Sequence, residues 1–153
     1  MAETIVSLHA FYKGKSGGVD GFLSRPVAPG RWPAIVIGHE WFGLVDWSRE
    51  FNRILAAEGF AALTPDLYHG KIASDHETAA RLKTGLDINK ATQEMIDAVS
   101  YLKELPFVSE KVGVMGFCMG GGLALLAACR SSAFDAAVLY HHSIYPDPKE
   151  VEN

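Results

Sequence analysis

Among 153 residues the chain has only two cysteines, Cys118 and Cys129, eleven positions apart, which excludes a disulfide framework; nothing beside them has the spacing of a metal site. Basic residues are fewer than acidic ones, 14 against 18, and they are scattered, so a net charge of −4 offers no stripe for nucleic acid or for an anionic membrane. No window approaches the ~18 consecutive apolar residues of a membrane span. The N-terminus, Met1-Ala2-Glu3-Thr4-Ile5-Val6, has neither a basic region nor a long apolar stretch. Repeats, low-complexity tracts and linkers are also missing. What remains is a chain with 48% hydrophobic and 21% charged residues, expected to form one domain over residues 1–153 in a reducing cytoplasm.

Strand-like and helix-like segments alternate after an opening hairpin, Ile5 to Tyr12 and Gly21 to Pro26, bridged by Gly14 to Gly18. Ala34 to Gly38 reads as a buried strand. Asp46 is placed to cap a helix on which Trp47, Phe51, Ile54, Leu55 and Glu58 share a side, and Gly59 ends it. Phe60 to Pro65 is a further strand, and Ile88, Ala91, Met95, Val99 and Leu102 recur at helical spacing before Pro106. Lys111 to Met115 and Ala136 to Tyr140 complete the strands, with an apolar helix over Gly122 to Cys129 between them, on which Cys129 reads as core. This alternation implies an α/β fold with a mainly parallel sheet covered by helices on both faces.

The segment Gly116-Phe117-Cys118-Met119-Gly120-Gly121 places a thiol in a Gly-x-nucleophile-x-Gly turn between a strand and a helix. Such a bend holds the nucleophile at the strand tip, beside the free N–H groups of a helix N-terminus that favour a thiolate and an oxyanion alike. A dinucleotide fingerprint fails, because the third position of the run is Cys118 and no acidic residue closes a strand about 20 residues on. A phosphate loop fails for want of Gly-Lys-Ser/Thr. The plainer alternative is a buried structural cysteine.

Two further clusters end strands on the same sheet edge, where parallel α/β proteins gather their working groups. His39-Glu40-Trp41-Phe42-Gly43 brings a carboxylate partly desolvated by two aromatics; a zinc-binding H-E-x-x-H reading fails at Gly43. Pro65-Asp66-Leu67-Tyr68-His69-Gly70 brings Asp66, read chiefly as a brace for its loop, and Tyr68, whose hydroxyl faces a substrate or packs.

In that order and spacing, Val36 to Gly43, Pro65 to Tyr68 and Gly113 to Gly121 resemble the dienelactone hydrolase (carboxymethylenebutenolidase) family of α/β-hydrolases, over about residues 19 to 140. The resemblance implies hydrolysis of a small lactone or ester through an acyl-enzyme, with no metal or organic cofactor. It assigns Cys118 as nucleophile, Glu40 as the carboxylate contacting the resting thiol, and the backbone N–H groups of Met119 and Trp41 as oxyanion hole. Phe42, Tyr68 and Lys71 are expected on the substrate side, Lys71 standing in the run where the family tends to carry an arginine. The family's later Asp and His have no counterpart before Asn153, and His141 and His142 precede Asp147, the wrong chain order for the triad. The expectation is therefore a fold incomplete at its C-terminal edge, with possible self-association there and slowed deacylation, since a lost base costs roughly 10²–10⁴-fold. A non-catalytic binding module and a redox-sensing thiol at Cys118 are the alternatives.

Overall fold

A computed structural model of the chain describes residues 4–142, Asp147 and Lys149. The elements run β1 (Ile5–Gly14), β2 (Gly17–Pro26), β3 (Trp32–Gly38), α1 (Asp46–Ala57), β4 (Ala61–Pro65), α2 (His76–Thr84), α3 (Ile88–Glu104), β5 (Val108–Cys118), α4 (Met119–Arg130) and β6 (Ala136–His142). The strands form one sheet in the order β1-β2-β4-β3-β5-β6. The β1–β2 hairpin joins β4 antiparallel, whereas β4, β3, β5 and β6 are parallel to one another. This is the mainly parallel α/β arrangement that the alternation of strands and helices implies.

Alternation along the central strands divides their side chains between two layers. Ala34, Val36, Val112 and Val114 point into a core closed by Met95, Val99 and Leu102 of α3 and Leu123 and Ala127 of α4. Ile37 and Met115 belong to a second, smaller cluster with Ala62, against which Ile35, Phe51, Leu55 and Phe117 pack while staying partly exposed.

Helix α1 departs from its apolar pattern. The residues it buries are Ser48, Asn52 and Ala56, spaced by four, while Trp47 and Ile54 remain 48% and 51% exposed. The reason is polar: Asn52 donates to the Ala62 carbonyl at 2.9 Å and the Thr64 hydroxyl at 3.0 Å, so a small polar face fits α1 onto β4. Asp46 is not its cap, since Val45 takes that position without a side-chain bond and Asp46 meets Arg49 at 3.3 Å within the first turn. Helix α2 was not anticipated; Asp75 caps it by accepting from the Thr78 N–H at 2.8 Å. Cys129 is half-buried rather than core, because the faces of α4 turned to the sheet are those of Leu123, Ala124 and Ala127. Among the described residues no helix is long and apolar enough to cross a membrane, and no group of three or more His, Cys, Asp or Glu is placed to hold a metal ion.

Candidate active site

Strand β5 ends on Cys118, half-buried, with φ 51° and ψ −114°, a conformation that side-chain-bearing residues rarely adopt. The bend turns the chain directly into α4 and presses the helix start against two strand ends. A Cβ on Gly116 would overlap the Gly120 backbone, and one on Gly120 would overlap that of Gly38. Only glycine allows this approach. Met119 is the first residue of α4, so its backbone N–H has no acceptor within the helix.

The strand register sets the Glu40 backbone on the same edge of the sheet. Gly38 pairs with Gly116 across the parallel β3–β5 ladder, and Glu40 and Cys118 each lie two residues beyond that pair. With neighbouring strands about 4.8 Å apart, both residues follow strand ends on one edge of the sheet.

His39, read in the sequence only to reject a zinc motif, proves to be the tie between two loops. It is 1% exposed; its Nδ1 lies 2.7 Å from the Glu40 carbonyl, and its Nε2 accepts the Leu67 N–H at 3.1 Å. Those partners require a neutral ring protonated on Nδ1, and burial lowers its pKa accordingly. One imidazole therefore positions the backbone of both Glu40 and the 66–70 loop. Nothing in a His-Glu dipeptide signals this, because both partners are backbone groups.

Asp66 braces that loop as expected, accepting from the N–H groups of Tyr68 at 3.2 Å and Gly70 at 2.7 Å. Tyr68 is buried, and its hydroxyl donates to Met119 Sδ at 3.1 Å. Burial, and secondarily the neighbouring Cys118, push its pKa up to about 12. Trp41 and Phe42 meet edge to face at 5.6 Å, and the ring of His76 from α2 contacts both, at 5.7 and 5.5 Å. Lys71 is brought elsewhere: it lines a cavity with Arg81, Lys90 and Glu94 that includes neither Cys118 nor Glu40. His142, set aside on chain order, stands opposite Cys118 in the β5–β6 register.

Residues 19–153 match the dienelactone hydrolase family. The chain is 33% identical over 137 residues to carboxymethylenebutenolidase 1 of Cupriavidus pinatubonensis, an alignment covering 83% of this chain and 58% of that protein. It is 33% identical over 118 residues to the carboxymethylenebutenolidase of Pseudomonas putida, covering 71% of this chain and 50% of the relative. The chain thus spans about half the length of the curated relatives it matches. Among solved structures, a dienelactone hydrolase-like promiscuous phosphotriesterase from metagenomic libraries superposes with a TM-score of 0.82 at 27% identity, over 95% of this chain and 63% of that one.

Proposed function

The chain belongs to the dienelactone hydrolase family, and on that premise we propose that it hydrolyses a small lactone or carboxylic ester with Cys118 as nucleophile. The thiolate attacks the ester carbonyl, and the N–H groups of Met119 and Trp41 hold the oxyanion of the tetrahedral intermediate. Collapse expels the alcohol and leaves a thioester, which water then hydrolyses. For a lactone the alcohol stays tethered, so ring opening releases a hydroxycarboxylate. Glu40 contacts the resting thiol and governs its ionisation. Phe42 and Tyr68 bound the substrate. A thiol nucleophile suits a reducing compartment, and the cytoplasm is the proposed location.

The observation that supports this reading is the strained Cys118 bend, at the strand-end edge where Glu40 also follows its strand, two residues past the Gly38–Gly116 pair. The register of His142 against Cys118 makes it the histidine to test first as the base for deacylation. Purified chain mixed with p-nitrophenyl acetate is expected to release a Cys118-dependent burst of nitrophenol. A burst stopping at one equivalent means an acyl-enzyme without a deacylating base; continued turnover lost in His142→Ala assigns that base. A folded Cys118→Ala variant indistinguishable from wild type would sink the proposal.

We also propose that two copies associate through β6, which has one sheet neighbour among the described residues and exposes Ala136, Ala137 and Val138. Sedimentation that stays monomeric as concentration rises would count against it.

A further inference from the structure

Away from Cys118, a cavity of about 300 Å³ opens between the 66–71 loop, α2 and the start of α3. At its floor is Glu94, 1% exposed, on a helix face that the sequence marks as apolar. Glu94 Oε1 lies 3.0 Å from His69 Nε2 and 3.8 Å from Lys90 Nζ, yet both its oxygens are buried without a well-formed hydrogen bond among the described residues, and Oε2 has no ion-pair contact either. An orphaned carboxylate oxygen inside a protein is costly, and a site that keeps one open has room for a donor from outside.

The mouth has the opposite character. Lys71, Arg81 and Lys90 all line it and are exposed. Arg81 is loosely held, 3.8 Å from Glu77 and 3.2 Å from the Thr78 hydroxyl. The other acid there, Asp87, has one oxygen committed to the Lys90 N–H at 3.0 Å. Between floor and mouth the walls are apolar, from Leu67, Leu82 and Leu86. The cavity therefore asks for a short aliphatic body with an anionic group at one end and a hydrogen-bond donor at the other. A neutral donor suits better than an ammonium, because Lys90 already stands 3.8 Å from Glu94 and would repel a second cation.

We propose that this cavity binds a small hydroxycarboxylate, its hydroxyl donating to Glu94 and its carboxylate held by Lys71, Arg81 and Lys90. That is the chemical class that lactone opening releases, a link that rests on the hydrolase reading; the binding itself does not. Tyr68 is a shared wall, lining the cavity while its hydroxyl reaches Met119 beside the thiol.

The test is an amide NMR titration of the full chain with 4-hydroxybutanoate. Saturable shifts are expected in residues 67–71 and 82–94. Charge-assisted contacts of this kind make a Lys71→Ala/Arg81→Ala double variant bind about tenfold more weakly or worse. Butanoate, lacking the hydroxyl, should bind several-fold more weakly than 4-hydroxybutanoate, and alkylating Cys118 with iodoacetamide should leave the titration unchanged. Three results would overturn the proposal: no saturable shift, shifts confined to residues 40–42 and 118–119 that vanish on alkylation, or butanoate or 4-aminobutanoate binding as tightly. Intact 4-hydroxybutanoate binding in a chain that shows no ester burst would remove the hydrolase reading and leave this site standing.

Discussion

The two faces of the sheet are built to different standards. On the α3–α4 face, branched residues from four strands interlock with two helices, and side chains such as Leu102 and Leu123 are fully buried. On the α1 face the buried apolar cluster is small, Ile37, Ala62 and Met115, beside the polar Ser48, Asn52 and Thr64, and a line of aromatic rings lies across the surface. Trp47 stacks on Phe51 at 5.8 Å, both meet Phe117 edge to face, and Phe117 stacks on Tyr140 at 5.0 Å, with Trp47 and Tyr140 about half exposed. Beside them an apolar hollow of about 290 Å³ runs over Ile35, Met115 and Val138. The difference teaches where rigidity is invested. The closed face carries Tyr68, His39 and the start of α4, the groups around Cys118, whereas the open face bears only the Phe117 side of the bend.

The contrast breaks most visibly under truncation of one large side chain on each face. Leu102→Ala removes a fully buried side chain from a close-packed layer and is expected to cost about 2–5 kcal/mol. Trp47→Ala, though it deletes more atoms, leaves no enclosed cavity and forfeits chiefly its two ring contacts, about 0.5–1.5 kcal/mol each. Urea denaturation followed by circular dichroism gives both values. Comparable losses would mean that the open face is as tightly packed as the closed one, and the comparison would fall.

How far the chain announced this depends on the range of each interaction. The Cys118 bend was legible because its glycines, the strand before it and the helix after it are contiguous, and the strand-end rule carried Glu40 to the same edge. Short-range chemistry also made Asp66 readable, since it bonds within four residues. The α1 face was not, because its apolar side chains point toward a sheet surface that they cover only in part. Ser48 and Asn52 are buried for the sake of acceptors on distant strands. Glu94 was hidden for a similar reason: it shares α3 with an apolar stripe, and its neighbours His69 and Lys71 come from a loop more than 20 residues earlier. The second cavity is a tertiary fact with no local signature.

Acid sharpens the comparison through His39, the buried imidazole of the closed face. Its folded pKa is lowered by burial, while in the unfolded chain it titrates at the ordinary value of about 6.5. Above that value both states hold a neutral ring and the group adds no pH dependence. Below it the unfolded state binds a proton that the folded state refuses, so stability falls as pH drops, by at most about 1.4 kcal/mol per pH unit until the folded pKa is reached. Glu94, whose pKa burial raises, works in the opposite sense, so the slope is read as a difference between proteins. His39→Asn keeps a polar side chain that cannot charge. The difference in unfolding free energy between wild type and His39→Asn should be flat from pH 8 to about 6.5 and should narrow steadily below it. A difference independent of pH would mean that the ring is free to protonate in the folded state. The tie between Glu40 and Leu67 would then be looser than its 2.7 and 3.1 Å contacts describe.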